Sequence, residues 1–233
     1  MSEEEFRRPR INTTRTLPVP NAYTLALDGE FAHIAFNEER APNNKGKWRS
    51  DVLKCEASVP MDVEIGTGAG THFAHYAKNH PDRMIVGLEL KYKPLIQSIR
   101  RAVVAGAKNV AIARFHAFNI DELFEEGEIN NVFIHFPDPW TSPKKPRHRV
   151  VNVRILDWLH RMQRPGSVID FKTDSREYFL WALEEIKQSK YKVVFETQDL
   201  HTTEMSKENF VTTFERIFMK QGTKINFIRL LRE

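Results

Sequence analysis

A glutamate and three glycines alternate along one short segment, and residues of these types at this spacing can bind a nucleotide. Glu64 lies near the end of an apolar run, and Gly66, Gly68 and Gly70 follow it. Because glycine has no Cβ, a turn built from it can bend sharply and bring its backbone close to a ligand. The carboxylate of Glu64 would repel a pyrophosphate, so the segment favours a ligand that carries positive charge. A glycine turn that binds nothing is the structural alternative.

The spacing of the glycines distinguishes two classes of nucleotide-binding protein. In the dinucleotide fingerprint G-x-G-x-x-G, the third glycine packs a helix against a strand. Here the third glycine comes one residue early, and Thr71 lies where that fingerprint has glycine. This spacing disfavours a nicotinamide oxidoreductase. The pattern E-x-G-x-G-x-G instead resembles motif I of class I S-adenosylmethionine (SAM) methyltransferases, which implies SAM as the cofactor.

A second acid follows the next apolar run. Residues 84–88 predict a strand, and Glu89 comes directly after it. In nucleotide-binding α/β folds, an acid at the tip of the second strand accepts hydrogen bonds from the ribose hydroxyls. The sequence therefore predicts that Glu89 holds the ribose, with an ordinary surface glutamate as the alternative.

A carboxylate between two prolines follows a later apolar run, at residues 131–135. The segment reads Phe136-Pro137-Asp138-Pro139-Trp140. Each proline fixes its own φ and lacks a backbone donor, so the loop is stiff and the Asp138 carboxylate is held in one direction. The segment therefore predicts an active-site acid beside a stacking or packing surface formed by Trp140. A rigid turn anchored by a buried tryptophan is the alternative.

Positive charge is concentrated directly after this loop. The whole chain carries a formal charge of +4, but residues 141–164 hold seven Arg or Lys against one acid, Asp157. Such a basic block is typical of a surface that binds a polyanion such as RNA. We therefore expect phosphate contacts here, with a solvated helix face as the alternative. The basic residues are Lys144, Lys145, Arg147, Arg149, Arg154, Arg161 and Arg164.

Length and composition predict one α/β domain with an extension before it. The chain has 233 residues, and 41% of them are hydrophobic, which is enough for a large core. We expect residues 1–40 to form an N-terminal extension with a partly flexible basic arm, and residues 41–233 to form the SAM-binding domain. No apolar run is long enough to cross a membrane, and the start lacks an apolar signal segment.

The cysteine and histidine content predicts the cellular compartment and whether the protein holds a metal ion. The lone cysteine, Cys55, cannot form an internal disulfide, so a reducing cytoplasm is expected. The nine histidines are scattered, and no Cys/His cluster has the spacing of a metal site. We therefore expect a cytoplasmic protein that holds no metal.

Alternating strands and helices are needed to position these groups. Apolar runs predict seven strands, at 61–65, 84–88, 110–113, 131–135, 168–171, 191–195 and 225–231. Helices are predicted at 71–78, 92–105, 151–162 and 175–188, with Asp174 as the N-cap of the last, and residues 37–50 are predicted to be loop. The alternation predicts a mainly parallel sheet with helices on both faces, its last strand antiparallel. Such a seven-stranded arrangement resembles the Rossmann-like fold of class I SAM-dependent methyltransferases, which is the fold that we expect.

Three further motifs follow the Phe136–Trp140 segment in order. They are the basic run from Lys144 to Arg149, the pair Thr173-Asp174, and the segment Thr212-Thr213-Phe214-Glu215. Together the four motifs resemble the bacterial tRNA (guanine-N7)-methyltransferase family, over about residues 45–231. That resemblance implies methyl transfer from SAM to N7 of the variable-loop guanosine, position 46, of tRNA.

The resemblance also implies roles for individual residues. Asp138 corresponds to the catalytic acid, and His116 lies where the family usually has aspartate. The implied cofactor-binding residues are Glu64, Gly66, Gly68, Gly70, Glu89, His116, Ala117 and Asp138. The implied substrate-binding residues are Lys144, Lys145, Arg147, Asp174, Thr212 and Glu215. Either Lys144 or Lys145 matches the family's substrate lysine, because the basic run is interrupted by Pro146.

Two other functions are compatible with the same sequence features. A SAM methyltransferase that acts on another RNA base would share the fold, and a non-catalytic tRNA-binding protein would share the fold and the basic block. We expect a tRNA partner and no membrane association. A monomer is the expected state, with a homodimer as the alternative.

Overall fold

One eight-stranded sheet organises the structure, a computed structural model that describes residues 20–141 and 148–233. The strands lie in the spatial order β1-β4-β3-β2-β5-β6-β8-β7. All neighbours from β1 to β6 pair in parallel, whereas β8 runs antiparallel to both β6 and β7. The strands are β1 (Ala35–Phe36), β2 (Met61–Ile65), β3 (Met84–Leu88), β4 (Val110–Ala113), β5 (Val132–His135), β6 (Val168–Thr173), β7 (Lys192–Thr197) and β8 (Asn226–Leu231).

Helices cover both faces of this sheet. They are α1 (Ala22–Asp28), α2 (Thr71–Asn79), α3 (Tyr92–Val104), α4 (Val153–Met162), α5 (Arg176–Ile186) and α6 (Thr213–Lys220). Strand residues alternate between two apolar clusters: Val86 and Leu88 pack on the α4/α5 side, and Ile85 packs on the α1/α2/α3 side. This alternation is expected of a sheet that is buried on both faces. Within the described ranges, no helix is long and apolar enough to cross a membrane.

The predicted fold class is confirmed, and the seven predicted strands are present with small shifts at their ends. The antiparallel last strand is confirmed as β8. The sequence did not indicate an eighth strand, because β1 has only two residues and no periodic pattern can show in so short a segment. At the other edge, the pairing of β7 with β8 shifts register between Val193 and Phe195, as in a β-bulge.

Residues 20–60 contain more secondary structure than the sequence predicts. Residues 37–50 do not form a plain loop: they contain a 3-10 helix at Ala41–Asn44 and begin a π-helix at Trp48–Leu53. Low helix propensity in this segment is overridden by Trp48, which is fully buried and donates from its Nε1 to the carbonyl of Leu123 at 2.8 Å. Tertiary packing, rather than local sequence, therefore decides this region.

Part of the predicted N-terminal extension packs on the sheet. Leu27 of α1 is fully buried in the cluster that includes α3, and β1 pairs with β4. The predicted basic arm in residues 1–19 lies outside the described residues. The domain boundary at residue 40 stays a prediction.

The strand order creates a crevice at one place on the sheet. From β2 the chain proceeds through β3 and β4 in one direction, and then returns to place β5 on the opposite side of β2. In open α/β sheets, ligands bind outside the carboxyl ends of the strands at this switch point. The segments that follow β2, β3, β5 and β6 meet at this edge.

Candidate functional site

The glycine turn after β2 combines tight packing with open space. Gly66, Gly68 and Gly70 have φ of 79°, 53° and 74°, a left-handed region that side chains rarely adopt. A Cβ on Gly70 would lie 2.4 Å from Cα of Ser98, so this glycine lets α2 and α3 pack closely. A Cβ on Gly66 or Gly68 would meet nothing within 4 Å. The first two glycines therefore leave room for a ligand above the turn.

Glu89 is fixed beside this turn by backbone donors. Gly68 N–H donates to Oε2 of Glu89 at 2.9 Å, and Lys91 N–H donates to Oε1 at 3.0 Å. Burial raises the pKa of Glu89, while the two backbone hydrogen bonds oppose that rise. The sequence correctly brings this acid to the tip of β3, where its orientation is set before any ligand binds.

Glu64 lies deeper than a surface ligand contact would. Glu64 is 2% exposed, and its Oε2 lies 2.8 Å from Nδ1 of His72 in the first turn of α2. The ring of His135, at the end of β5, lies 4.4 Å from the His72 ring. Ligand atoms of Glu64, His72 and His135 all lie within 4.8 Å of one another, so these side chains could hold a metal ion. Sequence spacing gave no sign of this cluster, because its members come from three separate elements.

The loop that carries Asp138 is bent at both ends. Phe136 and Trp140 have φ of 52° and 44°, which is costly for residues with a Cβ. Phe136 N–H donates to the carbonyl of Lys172 at 2.8 Å, and the carbonyl of Pro139 accepts from Nε of Arg149 at 2.8 Å. Anchors on both sides thus hold the strained loop, and the Asp138 side chain is exposed between them.

Arg149, which the sequence places in the predicted phosphate-binding block, is buried in the structure. Its side chain is 2% exposed, pairs with Glu177 at 2.6 Å, and lies 5.1 Å from the rings of Tyr178 and Trp181. A guanidinium enclosed in this way supports the Pro139 carbonyl and is not available to a phosphate, so the interpretation of Arg149 as a phosphate contact is wrong. The predicted substrate residues Lys144, Lys145 and Arg147 lie outside the described residues.

The prediction for Asp174 was partly wrong. Ser175, not Asp174, is the N-cap of α5, because its Oγ accepts from Tyr178 N–H at 3.2 Å. The Asp174 side chain therefore does not cap α5. It is half-buried just after the carboxyl end of β6. Burial raises the pKa of Asp174. Asp174 follows β6 directly, at the same edge of the sheet as the loop after β5.

Thr212 and Glu215 form a reciprocal cap at the start of α6. Thr212 Oγ1 accepts from Glu215 N–H at 3.2 Å, and Glu215 Oε2 accepts from Thr212 N–H at 3.2 Å. Glu215 is fully buried, and its Oε2 also accepts from Nζ of Lys172 at 2.8 Å. Its Oε1 accepts from Nδ2 of Asn209 at 2.7 Å. Both carboxylate oxygens of Glu215 are thus engaged within the chain.

Lys172 is a site residue that sequence reasoning missed. Near the carboxyl end of β6, it donates to Glu215, to Oδ1 of Asn209 at 2.9 Å and to the carbonyl of Phe210 at 3.1 Å. Burial lowers the pKa of Lys172, and Glu215 opposes that shift. The partners lie 43 residues apart, so no local pattern could have indicated the pair. This ion pair fastens the Thr212–Glu215 segment to β6.

His116 caps the 3-10 helix Ala117–Glu122 at the tip of β4. Its Nδ1 accepts from Phe118 N–H at 3.2 Å, which is the hydrogen bond that an aspartate would accept at an N-cap. Burial lowers the pKa of His116, and the nearby His148 adds to that shift. Ala117 lies buried beside the His116 ring.

The sequence is similar to a methyltransferase family model and to enzymes named as tRNA methyltransferases. A family model described as "Putative methyltransferase" matches residues 58–228. A tRNA (guanine-N(7)-)-methyltransferase of Bdellovibrio bacteriovorus is 68% identical over 206 residues, which cover 88% of this chain and 99% of the relative. An enzyme of the same name from Clostridioides difficile is 32% identical over 182 residues, which cover 78% and 83% of the two chains.

Solved structures share the fold at low sequence identity. A 16S rRNA (adenine(1408)-N(1))-methyltransferase with cosubstrate SAM, from Catenulisporales acidiphilia, has a TM-score of 0.54 and 15% identity. The match covers 82% of this chain and 90% of that one. At this identity the likeness establishes the fold alone.

Proposed function

This chain belongs to the tRNA (guanine-N7)-methyltransferase family, and on that basis we propose that it methylates N7 of the variable-loop guanosine, position 46, of tRNA. The observation that carries this proposal is 68% identity to an enzyme of that name over nearly the whole of both chains. The geometry of the site supports it, because the groups that the reaction needs lie around one crevice.

The residues around the glycine turn fit SAM. Gly66 and Gly68 leave open space above the turn, and the Glu89 carboxylate is already oriented beside it. We assign Glu89 to the ribose hydroxyls and the glycine backbone to the methionine part of the cofactor. His116 and Ala117 lie at the tip of β4, where we assign them to the adenine. Glu64 supplies negative charge beneath the cationic end of the cofactor.

The reaction needs alignment more than proton transfer. SAM, when bound, supplies an activated methyl group, and its transfer to N7 leaves positive charge on the base without release of a proton. Guanine N7 has an in-plane lone pair and no proton, so a general base is not required. We propose that Asp138 accepts hydrogen bonds from the guanine N1–H and 2-amino group. This contact would hold the base and favour the charge that develops on it.

The substrate side is completed by groups on β6 and α6. Asp174 has no capping role and faces the same edge of the sheet, which supports a direct contact with the guanosine. Thr212 and Glu215 are assigned to the same substrate site. Because both oxygens of Glu215 are engaged, we propose that it acts by holding the start of α6 in place rather than by touching the base.

Phosphate contacts are proposed for Lys144, Lys145 and Arg147. The guanosine must leave its stack in tRNA to reach the site, which costs a few kcal/mol that pocket and backbone contacts must offset. We expect a monomer to bind one tRNA, which light scattering of the free chain and of the complex would test.

Methyl transfer from tritiated SAM to unmodified tRNA tests the proposed function. The expected product is 7-methylguanosine at position 46, identified after nuclease digestion. A tRNA with adenosine at position 46 is the matched control and should accept no label. Tritium at another base would show that the chain is a methyltransferase with a different target base. Binding of tRNA without incorporation of tritium would show that it is a non-catalytic tRNA-binding protein.

A further inference from the structure

Three ligand-type side chains converge beneath the glycine turn. Glu64 comes from the end of β2, His72 from the first turn of α2, and His135 from the end of β5. The three elements are adjacent, and one ligand atom of each residue lies within 4.8 Å of the other two. Glu64 and His72 are 2% and 7% exposed and His135 is partly exposed, so two of the three side chains are shielded from bulk water.

Hydrogen bonding inside the described chain does not satisfy this cluster. Glu64 Oε2 and His72 Nδ1 are paired at 2.8 Å, but the buried Nδ1 of His135 has no partner among the described residues. Buried polar atoms in native proteins nearly always have a partner. A neutral imidazole with an unpaired nitrogen is a good metal ligand.

We propose that Glu64, His72 and His135 bind one transition-metal ion of the Zn²⁺ class. Two imidazoles and a carboxylate are a donor set that Zn²⁺ takes in proteins, with a fourth position left for water or another ligand. Binding of an ion would give the His135 ring a partner, which the Glu64–His72 hydrogen bond alone does not.

The surrounding charges permit such an ion. Among the described residues, Lys172 is a cation close enough to influence the cluster, and it is paired with Glu215 at 2.8 Å. The Glu64 carboxylate contributes one negative charge directly to the ion. The ion would join β2, α2 and β5 below the turn, so its expected role is to hold these elements together. Methyl transfer itself needs no metal, and Glu64 is the residue that the proposed metal site shares with the proposed cofactor site.

Metal analysis of the full-length chain, purified without a polyhistidine tag or chelator, tests the site. We expect about one equivalent of Zn²⁺ by plasma mass spectrometry, and visible d–d absorption when Co²⁺ replaces it. His72→Ala and His135→Ala should each weaken Zn²⁺ affinity by at least about 100-fold, the upper end of the loss seen for residues that merely support a ligand. His75→Ala is the matched control, because His75 lies exposed on the same helix outside the cluster, and it should bind Zn²⁺ like the parent.

The parent chain alone can overturn the proposal. Absence of stoichiometric metal, together with no Co²⁺ absorption after addition of excess ion, would leave the cluster as a hydrogen-bonded packing group. Equal Zn²⁺ affinity in the parent and in His72→Ala would also contradict the proposed site. If the alanine variants unfold, Glu64→Gln preserves size and removes only the charged ligand. A lower Zn²⁺ affinity of Glu64→Gln than of the parent would support the proposed metal site. An equal Zn²⁺ affinity would contradict it.

Discussion

The two sides of the crevice are built in different ways. On the cofactor side, a contiguous glycine turn and Glu89 are positioned by backbone hydrogen bonds. On the substrate side, groups from three distant segments are brought together, and the buried pair Lys172–Glu215 joins two of those segments. The cofactor side is therefore specified locally, whereas the substrate side depends on tertiary contacts.

This difference has an energetic consequence. Backbone contacts at the turn survive most changes of side chain, and only the glycines and the acid itself are sensitive. A buried ion pair behaves differently, because removal of one partner leaves an uncompensated charge in a low-dielectric interior. Mutations should therefore damage stability on the substrate side and ligand affinity on the cofactor side.

The largest effect is expected for Lys172→Met. Loss of the ammonium leaves the buried Glu215 with only His201, at 2.9 Å, as a possible cationic partner, so the free energy of unfolding should fall by about 3–5 kcal/mol in denaturant titrations above the pH at which histidine is protonated. Lys192→Met is the control, since Lys192 pairs with Glu233 at an exposed position and the variant should unfold like the parent. Equal stability of Lys172→Met and the parent would show that the substrate side does not depend on this pair.

Asp138→Asn should reduce turnover by at least ~10²-fold, a loss typical of removing one preorganised polar contact to a transition state. The variant keeps the size of the side chain, so folding should be unchanged. The affinity for tRNA should change little, because phosphate contacts dominate it. Single-turnover methyl transfer with saturating tRNA provides the measurement. A near-parental rate would make Asp138 a turn residue and would move the catalytic role to Asp174.

Glu89→Gln should weaken SAM binding about 10-fold, since the amide replaces a charged acceptor of hydrogen bonds. Isothermal calorimetry with the folded variant gives the affinity. Parental SAM affinity would remove Glu89 from the cofactor site.

The same variant should show a pH-dependent gain in stability without cofactor. Burial raises the pKa of Glu89 in the folded state, so the folded chain loses stability as pH rises from the usual value of 4.5 through that raised pKa. Glutamine does not ionise, so the Tm of Glu89→Gln should exceed that of the parent at pH 7. The difference should shrink towards pH 4.5, where Glu89 is increasingly protonated in both states. A constant difference across pH would contradict this account.

The smallest effect is expected for His116→Asp. Both side chains can accept from Phe118 N–H, so the cap and the backbone at Ala117 should persist. SAM affinity should stay within about threefold of the parent or improve, since an energy change of a few tenths of a kcal/mol is typical when a cap is exchanged for an equivalent one. Loss of binding in a folded variant would give the histidine ring its own role.

Sequence reasoning succeeded where a local pattern carried the information. Apolar runs gave the strands, and the acid after the second run was correctly brought to the glycine turn as Glu89. It failed where partners are remote: Lys172 has no sequence feature that indicates Glu215, and the composition around Trp48 concealed a buried anchor. Arg149 shows a third limit, because a charge in a basic run gives no information about its burial.

The irregular pairing of β7 with β8 affects whether this edge of the sheet can pair with another molecule. This edge strand exposes Val193 and Val194, and its outer backbone groups could pair with a strand from another molecule. The register shift between Val193 and Phe195 breaks the regular row of donors and acceptors at that point, and exposed Lys192 and Glu196 lie on either side. The edge is therefore a poor template for intermolecular β-pairing, which protects the chain from aggregation at the side of the sheet far from the switch point.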